Sequence, residues 1–512
     1  MTISMAACTG PAPPTASGDI DGTSMVIAEA GSPNSLDPLA GYAPYGAAKI
    51  FDGLLEHQPG STLYPALAAT MPEPSPNGRS WRVQLRDGVR FSDGTAFDAD
   101  DVVATYRALL DPKFGSPLRE DYSMLSQVDE VDAHTVDFTL NHPYAPFPDK
   151  LVLGISPSQK FAGVDSIARS SVGVHPVGTG PYELAAWHRG KSLTLRPNKN
   201  YVQGQPGIKK ITVLFGLDDN ARWEKVRKGE VDAAALPVNR THNMQPPADY
   251  RVLDQRSAEF RAISLPTQNR VTGDTAMRRA LNYAVNRRTI VDSVLGGKGS
   301  VASTPITDAM LEFVEPEARF QRDDQLAGRL LNGAGWKLGA DGVRERRGVR
   351  ARFPLYYPQG DSLAQRMAQR FAEDVAQVGV SVEPVATTDL TARAHDSAVL
   401  FGAGNPFDPD LSLFSLLHST SNGVVSGNWS GYSDAGIDSA LDYGQREIDP
   451  GQRAVAYREL QRAYLRDPAM VVLARIDHGY LLRESWTGYQ AVTDAAGTDF
   501  TWGPWWNLQT WR

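Results

Sequence analysis

The sequence predicts an α/β protein built in two lobes, with the first lobe completed by the C-terminal tail. Three observations carry this. After about Ser264, short apolar strands alternate with segments of helical period long enough to act as crossovers, the pattern of a sheet covered on its faces. Before that point, strands and helices mix irregularly. The chain has 512 residues, 41% of them apolar and 21% charged, which suffices for two or three domains with a large core.

Each element follows from local pattern. Met25-Val26-Ile27-Ala28 is an apolar run ended by Gly31-Ser32-Pro33-Asn34-Ser35-Leu36-Asp37-Pro38, so a strand running into a turn is expected. Residues 47–55 place Ile50, Phe51, Leu54 and Leu55 at helical spacing and predict a helix. Trp81-Arg82-Val83-Gln84-Leu85 alternates with period two, Asp87-Gly88 supplies a turn, and Val89-Arg90-Phe91 reads as the return strand of a hairpin. Asp98 then suits a helix N-cap, Asp100 and Asp101 suit the positive end of its dipole, and Val102, Val103, Tyr106, Leu109 and Leu110 form its apolar face. Alternation recurs at 135–140, 193–196 and 211–215. The second lobe should carry helices at 276–295, 324–334, 362–378 and 453–465, with strands at 349–356, 380–385 and 397–401 between them. Five arginines around Gly348 read as a solvated hairpin, and Trp502, Trp505, Trp506 and Trp511 as a packed C-terminal strand.

Composition excludes several functions. A net charge of −8 offers no electrostatic footprint for nucleic acid, and no stretch reaches the roughly 18 apolar residues of a spanning helix. The nine histidines and single cysteine show no metal-site spacing, so no metal and no cofactor are expected. Gly431-Tyr432-Ser433-Asp434-Ala435 lacks the last glycine of a nucleophile elbow, and Gly296-Gly297-Lys298-Gly299-Ser300 lacks the spacing of a phosphate loop. His418, beside the apolar run 411–417, reads as a satisfied, partly buried histidine. With none of these motifs in place, the chain is not expected to be an enzyme. Met5-Ala6-Ala7-Cys8-Thr9-Gly10, followed by a tract rich in Pro, Gly, Ser and Thr, is similar to the lipobox and tether of bacterial lipoproteins. Cys8 would then be lipidated, although the basic and apolar segments of a signal peptide are missing ahead of it.

Taken in order, these segments resemble family five of the solute-binding proteins that serve importers of dipeptides, oligopeptides and nickel. The resemblance lies in Ser35-Leu36-Asp37-Pro38, in Leu85-Arg86-Asp87-Gly88-Val89-Arg90-Phe91-Ser92-Asp93-Gly94-Thr95 with Ala99-Asp100-Asp101-Val102, and in Pro176-Val177-Gly178-Thr179-Gly180-Pro181-Tyr182. It continues through Gly229-Glu230-Val231-Asp232, the stretch from Met277 to Arg287, Asp408-Pro409-Asp410, and Asn428 through Tyr432. It implies a two-lobed clamshell of the periplasmic-binding-protein type, with a hinge and a cleft that closes on ligand. Residues 1–24 would be the tether, 25–262 with 478–512 lobe I, and 263–477 lobe II. The partners implied are a peptide or other small solute, the permease and ATPase subunits of an ATP-driven importer, and the outer face of a membrane reached through the lipid anchor, with the chain itself a monomer.

The resemblance also points to a site. In the dipeptide and oligopeptide binders an aspartate holds the ligand's ammonium; aligned on Asp408-Pro409, that position is Asn405, and an upstream tryptophan is replaced by Gly402. The arginine that holds a dipeptide's carboxylate is replaced near Pro358-Gln359. The ligand's polar end is expected against the loop carrying Phe401, Gly404, Asn405, Phe407 and Asp408, facing Asn34 and Ser35 across the cleft. Three roles stay open on this fold: a peptide receptor, a receptor for a non-peptide solute such as a metal chelate, haem or sugar conjugate, and a lipoprotein with a regulatory or assembly role.

Overall fold

The computed structural model describes residues 22–421, 427–497 and 499–512. Cys8 and the tether expected around it lie outside these residues. Two large sheets organise the molecule. The first runs in the order Tyr250–Gln255, His478–Arg483, Ala233–Leu236, Ser24–Ala28, Lys210–Leu214, Ser192–Pro197 and Tyr182–His188. Its central strand, Ser24–Ala28, is parallel to both neighbours, and the remaining pairings are antiparallel. The second sheet runs Gly299–Val301, Met470–Ile476, Phe260–Ser264, Ala398–Ala403, Arg352–Pro358 and Ser381–Thr387. The helix Thr275–Ala284 contributes Met277 and Leu281 to one core on this sheet, and Ser362–Ala376 contributes Met367 and Phe371 to the same core.

A third unit grows out of the first lobe. Ser80–Gln84, Thr135–Leu140 and Leu125–Asp132 form an antiparallel sheet over the helix Ala99–Leu110, closing a separate core around Trp81, Val102, Tyr106, Phe138 and Phe147. Burial of each such side chain contributes roughly 1.5–3 kcal/mol. The helix begins as its sequence dictates. Asp98 accepts from Asp100 N at 3.0 Å, and Asp101 accepts from Asp98 N at 3.1 Å, completing a capping box.

The chain passes between the two large sheets at 256–259 and again at Asp477. A lobe boundary after residue 262 therefore cuts Phe260–Ser264 in two, and the division falls a few residues earlier. Other expectations are corrected by tertiary contacts. Residues 47–55 form no helix: Ala47 and Lys49 have φ of 53° and 63°, and the carbonyls of Lys49 and Ile50 accept from Tyr182 and Gly180 N at 2.9 and 3.0 Å. Ile50 and Phe51 enter the core of the first lobe, whereas Leu54 and Leu55 enter that of the third unit. Val89–Phe91 does not return along Ser80–Gln84, whose partner is Thr135–Leu140.

The helix expected over 276–295 breaks after Ala284, where Val285 is extended and Asn286 N donates to Asp374. The arginine-rich hairpin forms, but Arg344 is buried, donating to Val378 O, Trp336 O and Asn332. The C-terminal tryptophans sit in short turns rather than a strand, with Trp502, Trp505 and Trp511 buried.

Candidate functional site: a two-chambered cleft

The strand Ala398–Ala403 positions the site. Along one edge it pairs with Phe260–Ser264 over five residues, while on the other only Ala398 and Val399 meet Leu355 and Tyr356. Pro358 has no N–H to continue that ladder, and the chain turns away at Gly360, φ 86°. Beyond Val399 this edge has no strand partner among the described residues, and its end, Gly402 and Ala403, borders two cavities. Gly402 lines one cavity, Ala403 and Gly404 line the other, and Ala496 belongs to both.

The first chamber, about 360 Å³, lies between Tyr42–Tyr45, His57 and Asp149 of the first lobe and the loop after Ala403. Phe407 projects across it and stacks on His57, ring centroids 3.5 Å apart and 11° from parallel. Tyr45 and Trp502 complete the aromatic wall at 5.8 and 5.3 Å. His57 is held by Asp149 Oδ1 at 2.9 Å and by Tyr45 O at 3.1 Å, so the ring presents a fixed face to Phe407.

The sequence-predicted residues divide sharply. Gly404, Asn405 and Phe407 wall the first chamber. Asn405 spends its carboxamide on the loop itself: Nδ2 donates to Ser412 Oγ at 2.7 Å, and Oδ1 accepts from Phe407 N at 3.0 Å. Asp408 is buried in a two-point contact with Arg453, 2.9 and 2.8 Å. Burial pushes this carboxyl above the usual carboxylate range, and the Arg453 guanidinium opposes that rise. Phe401 points away from the cleft into the core, edge-on to Phe260 and Trp429. Asn34 and Ser35 wall neither chamber: Ser35 Oγ accepts from Asp37 N at 3.1 Å and packs where Gly173 has no side chain, so this segment is a structural turn. His418 is buried, and only half of its ring is satisfied as expected: Nδ1 is bonded to Thr420 at 2.7 Å, whereas Nε2 has no hydrogen-bond partner and lies 3.6 Å from Asp442.

The second chamber, about 760 Å³, was not legible in the sequence. It lies where the carboxyl ends of parallel strands in the two lobes face one another, with Glu29 and Leu236 on one side and Gln359, Asp361 and Gly402 on the other. His478 crosses its floor, bonded to Glu259 at 3.0 Å and Asp494 at 2.9 Å. Burial disfavours its charge, yet the two carboxylates win and push its pKa up to about 10. Arg261 reaches Glu259 at 2.8 Å and Asp361 at 3.3 Å. Glu259 passes over Gly402 so closely that a Cβ there would lie 2.3 Å from its Oε1, so this position has no room for a side chain. Among the described residues no group of three or more His, Cys, Asp or Glu side chains is arranged to hold a metal.

Further contacts tie the lobes together beyond the chambers. Tyr144 donates to Asp410 Oδ2 at 2.8 Å, and Ala145 N donates to Gln445 O at 2.7 Å. Burial, reinforced by Asp408, pushes Asp410 up to about 7.

Comparison with known proteins places this architecture. Protein XP55 of Streptomyces lividans is 41% identical over 91% of this chain and 86% of its own length. The structure of NikZ from Campylobacter jejuni in complex with Ni(L-His) superposes with a TM-score of 0.87 at 25% identity, covering 96% of this chain and 100% of that one. The oligopeptide-binding protein AppA of Bacillus subtilis, in complex with a nonapeptide, shares the fold with a TM-score of 0.82 at 21% identity, covering 95% and 98%. The family model described as "Bacterial extracellular solute-binding proteins, family 5 Middle" matches residues 62–424. The chain belongs to family 5 of the bacterial extracellular solute-binding proteins.

Proposed function

We propose that this chain captures peptides in the cleft between its lobes and hands them to the permease of an ATP-driven importer, acting as a receptor and not as an enzyme. The observation that carries this reading is the unpaired end of the strand edge, Gly402 and Ala403, which borders both chambers. An extended peptide laid along that edge would exchange main-chain hydrogen bonds with it, and the chambers would receive its side chains. The complex of AppA with a nonapeptide lends support from the same fold.

The test is calorimetry with penta-alanine and with the same peptide N-methylated at alternate residues. Binding of the first and loss of binding by the second is expected. Equal affinity would remove the strand edge from recognition. A non-peptide solute is favoured by one finding, the likeness to NikZ bound to Ni(L-His). Native mass spectrometry of the purified chain, which weighs any co-purified ligand, separates the two readings. Anchoring through Cys8 at the outer face of the membrane belongs to the same proposal: palmitate label on the precursor should disappear with Cys8→Ser.

A further inference from the structure

Glu29 stands at the edge of the second chamber with no ion-pair partner among the described residues, although the charge of Arg222 acts on it from a distance. It follows the last residue of Ser24–Ala28, so its side chain leaves the sheet at the carboxyl ends of three parallel strands, where open α/β sheets present their ligands. The residue is 2% exposed and lines the chamber. Trp505 Nε1 donates to its Oε1 and the Ala30 amide assists, but among the described residues Glu29 makes no ion pair.

The cations nearby are committed elsewhere. Arg222 is bonded to Asp219, Ala235 O and Leu217 O, all within 2.7 Å. Across the chamber, Arg261 and His478 are matched by Glu259, Asp361 and Asp494. Of the other groups that face Glu29, Asp499 is bonded to Thr501 and Tyr480 gives its hydroxyl to Asp494. Asp477, also on the chamber wall, adds a further negative charge. The acids of this chamber thus outnumber its bases, and the most deeply buried of the unpaired ones is Glu29.

We propose that Glu29 is the recognition group for an organic cation, an ammonium or guanidinium carried by the ligand into the second chamber. This rests on the receptor reading above. It gives a cationic ligand group a buried partner that the loop after Ala403 does not offer, since Asn405 is spent on its own loop, Asp408 on Arg453, and Asp410 accepts from Tyr144 and Gln445. Desolvation holds the Glu29 carboxyl at a pKa of about 7, so an arriving cation would draw a proton off it.

Calorimetry on Ala-Lys-Ala, Ala-norleucine-Ala and acetyl-Ala-norleucine-Ala, at pH 6 and pH 8, tests this with the wild type, Glu29→Gln and Glu29→Asp. The peptide bearing the relevant cation should bind about 10- to 100-fold tighter than its uncharged counterpart. That preference should grow roughly tenfold from pH 6 to pH 8 as Glu29 ionises. It should vanish in Glu29→Gln, which still accepts from Trp505, and survive in Glu29→Asp. The lysine contrast assigns the cation to a side chain, and the acetyl contrast assigns it to the N-terminus. Equal affinities, or a preference that persists in Glu29→Gln, overturn the proposal. Should none of the peptides bind, the peptide reading fails, and 1,5-diaminopentane is then compared with 1,5-pentanediol by thermal unfolding. Stabilisation by the diamine of the wild type but not of Glu29→Gln supports the cation site, and no difference overturns it.

Discussion

Gly402 and His478 show how single residues shape the cleft. A side chain on Gly402 would meet the Glu259 carboxylate, which is pinned by Arg261 and His478 and cannot swing aside cheaply. Gly402→Ala should therefore destabilise the protein by about 1–3 kcal/mol, measured by urea unfolding, with no comparable loss when Glu259 is also shortened to Ala. His478 predicts a pH dependence. Its folded pKa, about 10, lies above the usual 6.5 of an unfolded histidine. Its contribution is fully present below pH 6.5 and is lost as pH rises through 10. The wild type should lose on the order of a few kcal/mol across that window, and His478→Gln should show a shallower decline. A parallel decline in both proteins would mean that another group governs alkaline stability.

At the scale of elements, the loop after Ala398–Ala403 is held from behind. Asp408 and Arg453, the latter on the helix Pro450–Tyr464, lock it against the second lobe while Asn405 closes its turn. Arg453→Met removes one partner of a buried ion pair and should cost about 3–5 kcal/mol, far more than an exposed pair such as Arg169–Asp165. Parallel urea titrations of Arg453→Met and Arg169→Met compare the two directly. The helix Ala99–Leu110 offers a smaller, independent check: Asp98→Ala should cost about 1 kcal/mol through loss of its cap. Much of this level was legible in the sequence. The helix from Asp98, the strand 397–401 and the helix 362–378 were set by caps and by apolar periodicity. Residues 47–55 misled because their apolar residues serve two cores, and the contacts that hold them extended come from Gly180 and Tyr182.

For the whole molecule, the decisive contacts join the lobes. Phe407 on His57, Tyr144 on Asp410 and Ala145 on Gln445 all bridge the cleft from one lobe to the other. Removing one should shift the hinge equilibrium toward the open form. Tyr144→Phe should enlarge the radius of gyration of the unliganded protein in small-angle scattering and weaken ligand binding about tenfold, equivalent to roughly 1.4 kcal/mol. Scattering and affinity both indistinguishable from wild type would deny this contact a part in closure. Ligand itself should stabilise the closed form by roughly 2.7 kcal/mol at a hundredfold excess over Kd.

The sequence by itself determined the α/β class, the two-lobed plan and most helices and strands of the second lobe. These follow from period, caps and turn residues, which act over a few positions along the chain. Only the tertiary structure decided which polar groups remain free to meet a ligand. Asn405 and Asp408 are consumed by Ser412 and Arg453, 7 and 45 residues away, whereas Glu29 is left without an ion-pair partner among the described residues because Arg222 is held by Asp219, Leu217 O and Ala235 O. Whether a buried carboxylate is paired depends on groups that folding brings together from distant parts of the chain, and local pattern carries no record of that.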